Sequence, residues 1–279
     1  MPHRISILQA TLQKQFFINI KPTNMNNPFD LTGKVAVITG ASKGIGEAMA
    51  RIFSAHGATV VVSSRKQADL DEVAKEIESE TGNKVIGIAA NTGDLEQCQN
   101  LIDKTIEHFG GVDILVNNAA TNPVFGPSLD CDGGAFDKIM SVNVKAPFEL
   151  SKMVHASMKS RGGGSIINIS SIAGITPDPG LGMYSVSKSA MNMLTKVTAK
   201  EWGVDGIRVN SICPGLIKTK FSQALWQDEK TLQRFTKYLP ISRMGEVDEI
   251  APLALLLASG SAGGYTTGGI FSVDGGTTI

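Results

Sequence analysis

The chain has 279 residues with 26 Lys+Arg against 26 Asp+Glu, so its formal net charge is zero and it has no basic field of the kind that draws proteins to nucleic acid. Hydrophobic residues make up 42% and charged residues 19%, the balance of a globular chain long enough for one large α/β domain. Cys98, Cys131 and Cys213 are widely spaced and the four histidines form no ligand pattern, which argues against a disulfide framework and a metal site, and no apolar run approaches the roughly 20 residues of a membrane span.

Residues 1–28 hold His3, Arg4, Lys14 and Lys21 but no acid, the first being Asp30. A basic, acid-free start is shared by organellar transit peptides, but Arg and Ser are sparse here. A disordered tail, or an upstream start ahead of Met25, is the expectation, with one domain over 29–279. Residues 34–39 form a β-branched run continuous enough for a buried parallel strand. Gly40, Gly44 and Gly46 follow, then a helical pattern through Ala48, Met49, Ile52 and Phe53 that Gly57 ends. A strand at 58–63, a charged helix at 67–80, a strand at 84–90, a helix capped by Asp94 and running to Phe109, and a strand at 112–117 continue the alternation. The second half predicts a helix over 135–160 bent near Pro147, a strand at 165–170 and a Gly- and Pro-rich loop at 172–183. A helix from Tyr184 to Trp202, a strand at 207–212, a helical piece at 221–238, a helix at 246–259 and a last strand at 269–273 complete the chain. Helices alternating with strands on short connections predict an α/β fold, a Rossmann-type doubly wound parallel sheet with about seven strands.

The run Thr39-Gly40-Ala41-Ser42-Lys43-Gly44-Ile45-Gly46 lies between the first strand and the first helix. Backbone N–H groups at a helix N-terminus can hold a pyrophosphate there, and the glycines let the backbone approach it. The spacing is Gly-x-x-x-Gly-x-Gly, which differs from the commoner dinucleotide fingerprint. The second strand should end at the adenosine ribose, where an acid would select NAD(H). Here the chain has Ser63-Ser64-Arg65-Lys66. Arg65 can fork onto a 2′-phosphate and Lys43 can reach the same group, so two cations and no acid predict NADP(H) in preference to NAD(H).

Tyr184 and Lys188 stand four apart and share one face of their helix. An ammonium beside a phenol favours the phenolate, so the tyrosine should titrate below its usual value of about 10 and serve as a general acid/base.

Taken in order, these features resemble the short-chain dehydrogenase/reductase family in its single-domain form, from about residue 30 to the C-terminus. The motifs are the 39–46 loop, Asn117-Asn118-Ala119-Ala120 after the fourth strand, Asn143, Ser171, the Tyr184–Lys188 pair, and Pro214-Gly215 with Thr219. The resemblance implies that Tyr184 is the acid/base, that Ser171 hydrogen-bonds the substrate oxygen, and that Lys188 lowers the tyrosine pKa and binds the nicotinamide ribose. It implies that Asn143 holds a water of the proton relay. Ser171 is preferred to Ser170 because it lies 13 residues before Tyr184, the family's usual interval. Gly40, Ser42, Lys43, Gly44, Ile45, Gly46, Ser64, Arg65, Asn91, Asn117, Ala119, Pro214, Gly215, Ile217 and Thr219 would line the cofactor site. Ala120 stands where the family usually has Gly, and Asn91 where it often has Asp against the adenine.

The implied reaction is NADP(H)-dependent interconversion of a carbonyl and an alcohol. The pocket should be built from 172–183, the loop after Asn118 and a lid over 216–243 carrying Phe221, Leu225 and Trp226, which suits an apolar carbonyl substrate. Within the family the 122–126 run and the lid look like the NADP-dependent carbonyl and retinal reductases. The rival is a 3-oxoacyl-carrier-protein reductase, against which residues 121–134 carry no Lys or Arg. A catalytically inactive NADP-binding regulator would not need the intact Asn143, Ser171, Tyr184 and Lys188. The family resemblance also implies a homotetramer or homodimer, for which Met191, Met193, Leu194 and Val197 would serve as well as for a core. The C-terminal Thr277-Thr278-Ile279 is not a peroxisomal address, and a cytoplasmic location is expected.

Overall fold

Seven strands form one parallel sheet in the order β3-β2-β1-β4-β5-β6-β7. They are β1 (Val35–Thr39), β2 (Thr59–Ser63), β3 (Val85–Gly87), β4 (Ile114–Asn117), β5 (Gly164–Ile169), β6 (Ile207–Pro214) and β7 (Ile270–Val273). The computed structural model describes residues 27–279 apart from Asp228 and Tyr238, so the expected leader, Met25 and the expected end of the lid helix at Tyr238 lie outside the described residues. The doubly wound sheet read from the sequence is the observed fold.

The strands are largely apolar because both faces of the sheet are covered. Side chains alternate across it. Ala36, Ile38, Val60, Val62, Ile167 and Ile212 face one layer. There they meet α1 (Gly44–Ala55), α2 (Gln67–Thr81) and α9 (Ala251–Ala258), through Met49, Phe53, Leu70, Ile77 and Leu255. Val37, Val61, Leu115, Ile166 and Val209 face the other layer. It is covered by α3 (Leu95–Phe109), α5 (Ala146–Ser160) and α6 (Gly182–Trp202), through Leu101, Ile102, Leu150, Val154 and Ala199. Asp94 caps α3 as expected, accepting from the backbone N–H groups of Glu96 and Gln97.

Several boundaries differ from the sequence reading: β3 is shorter than the expected 84–90, and the helix expected over 246–259 is a 3-10 turn (Val247–Glu249) followed by α9. The long helix expected over 135–160 is α4 (Gly133–Met140), a π turn (Ser141–Lys145) and α5. The break lies just before Pro147, whose ring nitrogen cannot donate to the carbonyl four residues back. The Tyr184 helix starts two residues early, at Gly182. β6 runs on to Pro214 because β7 pairs with it from Ser211 to Pro214. The lid contains two short helices, α7 (Gln223–Trp226) and α8 (Glu229–Thr236), in place of one.

Candidate active site

The strand order reverses between β1 and β4, and their following helices cover opposite faces of the sheet, which opens a crevice at the strands' C-terminal ends. Thr39, the last residue of β1, ties this crevice together. Its Oγ1 accepts from the N–H groups of Asn118 and Ala119, both at 3.1 Å, and donates to the Val116 carbonyl at 3.2 Å. The Asn118 amide donates to the carbonyls of Thr39 (2.9 Å) and Gly40 (3.0 Å), clamping the glycine loop to the segment after β4. The motif alone does not mark Asn118; its role becomes visible only when the two loops lie side by side.

The glycines fit this packing closely. Gly40 has φ +65, and a Cβ on it would lie 2.9 Å from Asn118 Nδ2. A Cβ on Gly46 would lie 2.5 Å from the Gly40 carbonyl oxygen. Lys43 precedes α1 in extended conformation and no side chain caps the helix, so the N–H groups of its first turn, from Gly44, Ile45 and Gly46, are left for another acceptor. Ser42 is half-buried and Lys43 exposed. At the end of β2 the buried Ser63 hydroxyl has no hydrogen-bond partner, Ser64 is half-buried and Arg65 is exposed. Neither Arg65 nor Lys43 has an ion-pair partner among the described residues. An uncapped helix end beside an orphaned hydroxyl and two unpaired cations fits the pyrophosphate and ribose of a dinucleotide. Asn91 sits beyond β3, its Oδ1 accepting from the Gly93 N–H at 3.1 Å and its own N–H donating to Gln97 Oε1 at 2.9 Å.

Ser171, Tyr184 and Lys188 converge at the end of β5. Lys188 is 1% exposed, and its Nζ donates to the Ile169 carbonyl at 2.8 Å and lies 5.6 Å from the centre of the Tyr184 ring. The Ser171 hydroxyl lies beside the Tyr184 phenol, and its Oγ accepts the Ala173 N–H at 3.1 Å. Ser170 is turned away, donating to the Lys188 carbonyl at 3.1 Å. The expected lowering of the phenol pKa is reversed here. Burial pushes Tyr184 up to about 12, while the neighbouring Ser171 hydroxyl works against that shift. Burial likewise pulls Lys188 down to about 8. Sequence spacing places the ammonium beside the phenol but does not reveal how far both are withdrawn from water.

Asn143 lies inside the π turn and is fully buried. Its amide is committed to protein: Nδ2 donates to the Thr121 carbonyl (2.9 Å) and to Ser187 Oγ (3.0 Å), and Oδ1 accepts the Thr121 N–H (2.9 Å). Ser187 in turn donates to the Tyr184 carbonyl at 2.7 Å, so Asn143 braces the Tyr184 helix against the loop after β4. Asn117 is 1% exposed. Its amide donates to Asn168 Oδ1 at 2.9 Å within the sheet layer, so its side chain does not line the crevice.

The lid rises from β6. Pro214 is buried, and Gly215 donates to the Val273 carbonyl at 3.0 Å, where a Cβ would lie 2.8 Å from Asp274 Cα. Ile217 is buried in the apolar core and bridges Gly245 through its backbone. It anchors the lid, and its side chain is not offered to the crevice. Thr219 reaches the glycine loop, since a Cβ on Gly44 would lie 3.5 Å from Thr219 Cγ2. Ser222 knots the turn, donating to the Ile217 carbonyl at 2.6 Å and accepting from the Thr219 N–H and Trp226 Nε1, both at 3.2 Å. Phe221 is 59% exposed, with its ring centre 6.1 Å from that of Tyr184.

The buried ammonium makes a prediction about stability. Lys188 titrates near 8 in the folded protein, against about 10.4 unfolded. Below pH 8 both states hold the proton, and the folded state bears the full cost of burying it. Between pH 8 and 10 the folded state releases the proton first, so the cost falls as pH rises. Lys188→Met abolishes this term. Its stability relative to wild type should be constant below pH 8, then shift in favour of wild type by on the order of 2 kcal/mol by pH 10. Urea unfolding across that range measures it; a pH-independent difference contradicts it.

A family model described as "Enoyl-(Acyl carrier protein) reductase" matches residues 40–278. The human protein "Dehydrogenase/reductase SDR family member 4" is 40% identical over 275 residues, covering 99% of this chain and 98% of the relative. The crystal structure of L-sorbose reductase from Gluconobacter frateurii complexed with NADPH and L-sorbose superposes with a TM-score of 0.84 at 34% identity, covering 90% of this chain and 98% of that one. A 7α-hydroxysteroid dehydrogenase complexed with NADH and 7-oxo glycochenodeoxycholic acid gives a TM-score of 0.85 at 34% identity, covering 89% and 96%. With its nicotinamide-binding fold and a match along nearly its whole length, the chain belongs to the short-chain dehydrogenase/reductase (SDR) family of oxidoreductases.

Proposed function

We propose that the chain interconverts a carbonyl and an alcohol using NADP(H), with Tyr184 as acid/base and an apolar carbonyl as substrate. The convergence of Ser171, Tyr184 and Lys188 beside the crevice carries this reading. The nicotinamide, when bound, supplies the hydride. The Ser171 and Tyr184 hydroxyls hold the carbonyl oxygen. Tyr184, kept protonated at neutral pH by its burial, gives its proton to that oxygen as negative charge develops. The Lys188 ammonium compensates the phenolate that results. The water of the proton relay is assigned to the Asn143 backbone carbonyl, because its side-chain amide is already committed and Pro147 offers that carbonyl no N–H.

The preference for NADP(H) rests on the unpaired Arg65 and Lys43 and the absence of an acid after β2. The neighbours' bound cofactors include both NADPH and NADH, so this chain's own residues carry the preference. Arg65→Asp should lower the ratio of kcat/KM for NADPH to that for NADH by about 100-fold, through loss of a charge-assisted contact and gain of a repulsion. Steady-state assays with both cofactors measure it. An unchanged ratio contradicts the assignment.

The exposed Phe221, its ring tilted with its centre 6.1 Å from that of Tyr184, supports an apolar substrate. A second reading, an acyl-carrier-protein-linked reductase, has the description of the family model in its favour. Against it, the loop at 121–134 carries Asp130 and Asp132 and no cation to meet an acidic carrier. An NADPH-oxidation screen over ketones, quinones, retinal and 3-oxoacyl thioesters separates the two readings. Turnover confined to the thioesters would replace the first with the second.

A homotetramer or homodimer belongs to the same proposal. Met191 is core, whereas Val186, Met193 and Val197 on α6 and Phe148 on α5 remain exposed, as a subunit contact requires. Among the described residues no helix is long and apolar enough to cross a membrane. A cytoplasmic location is proposed on the three unpaired cysteines, which suit a reducing compartment.

A further inference from the structure

The turn Pro177-Asp178-Pro179-Gly180 leads into the Tyr184 helix and carries a carboxylate that the reaction above does not use. The turn closes through its backbone: Gly180 takes φ +88, and the Leu181 N–H donates to the Asp178 carbonyl at 3.1 Å. Among the described residues the Asp178 side chain accepts no hydrogen bond and pairs with no cation, so turn formation does not account for it. Pro177 and Pro179 on either side are exposed, yet Asp178 is half-buried, and that burial alone raises its carboxyl above the usual carboxylate range.

Asp178 lines an open cavity of about 600 Å³ together with Pro127, Ser128, Leu129, Pro179 and Gly180. That volume is within the usual range of small-molecule sites, about 300–1,000 Å³. No other charged residue lines it. Its walls are the loops after β4 and β5, joined by a hydrogen bond from the Gly126 N–H to the Gly180 carbonyl at 3.1 Å. The Phe125 ring packs on Gly180, where a Cβ would lie 3.3 Å from it. Gly182, the first residue of α6, also lines the cavity, two positions before Tyr184.

A carboxylate drawn out of water without a partner is costly unless a ligand brings a donor to it. We propose that Asp178 reads the far end of the substrate, selecting carbonyl compounds that carry an ammonium or hydroxyl group remote from the carbonyl. This rests on the carbonyl–alcohol reading above and adds a polar terminus to an otherwise apolar substrate. The cavity walls take the apolar middle of such a molecule, and Ser171 and Tyr184 take its carbonyl end.

The test uses three aryl methyl ketones of matched length, ending in an ammonium, a hydroxyl or a methyl group, on the full chain with NADPH. Wild type should prefer the ammonium ketone to the methyl ketone by about tenfold in kcat/KM, chiefly through KM. Asp178→Asn should bring that preference to within about twofold while keeping the hydroxyl ketone favoured, since the amide still accepts a hydrogen bond. Asp178→Glu, which returns the charge, should restore part of it. An ammonium-to-methyl ratio unchanged in Asp178→Asn overturns the proposal. Calorimetry of 4-ethylbenzylamine against 1,4-diethylbenzene on NADP-saturated protein makes the same comparison without turnover. If wild type reduces none of the ketones, the carbonyl reading fails, and amine binding that is lost in Asp178→Asn still upholds the carboxylate site. Equal amine binding by the two proteins removes it.

Discussion

Tyr184→Phe is expected to fold, to bind NADP(H) with little change and to lose about 10³-fold or more in kcat. The phenyl ring keeps the shape that packs 6.1 Å from Phe221 and under the Lys188 ammonium. What disappears is the proton and one of the two hydroxyls that hold the carbonyl oxygen. Ser171 does not replace it, because an alkyl hydroxyl is a far weaker acid than a phenol and its oxygen already accepts the Ala173 N–H. Loss of the hydroxyl should cost only about 1 kcal/mol of stability. Cofactor titration by fluorescence and steady-state kinetics on one preparation separate binding from chemistry. Near-normal turnover contradicts the role of the phenol.

Gly46→Val should abolish cofactor binding and destabilise the fold together. Even a Cβ at this position would lie 2.5 Å from the Gly40 carbonyl oxygen, 2.6 Å from Asn118 Nδ2 and 2.9 Å from Ala41 Cα. Two of these atoms are backbone and cannot swing aside. The helix must move off the sheet, which carries the first-turn N–H groups away from where a pyrophosphate would sit. Overpacking of this kind costs about 1–3 kcal/mol, and more where backbone has to shift. Gly133→Ala is the control. A Cβ there meets nothing, and the position takes no positive φ, so its melting temperature should match or slightly exceed that of wild type. Thermal melts and NADPH titration of the two variants check the contrast, and a Gly46→Val protein that binds NADPH normally contradicts it.

The alternation of strands and helices was legible because parallel strands buried on both faces need continuous apolar runs, and the glycine loop marks the first crossover. Local interruptions were less legible. Pro147 signals a break, but the π turn it accompanies depends on how Asn143 is drawn toward Thr121 and Ser187, residues distant in sequence. Asn118 and Ser187 act through partners that only the folded chain brings near, and no spacing rule points to them. Asn117 stands beside Asn118 in sequence but faces the opposite side of the strand, which is why one lies under the sheet and the other clamps the loop. The direction of the Tyr184 shift is hidden from the sequence for a related reason. Sequence gives the neighbouring charge, whereas depth of burial decides which effect wins.

The most direct measurement follows deuterium from 4,4-dideuterated NADPH into product under single-turnover conditions, using a ketone that the wild-type chain reduces. The expected result is one deuterium on the carbinol carbon with wild type and, over the same time, almost no labelled alcohol with Tyr184→Phe despite saturating cofactor. Labelled alcohol formed by Tyr184→Phe at the wild-type rate, or NADPH consumed by wild type with no label in the alcohol, would contradict proton delivery by Tyr184 to a hydride transfer.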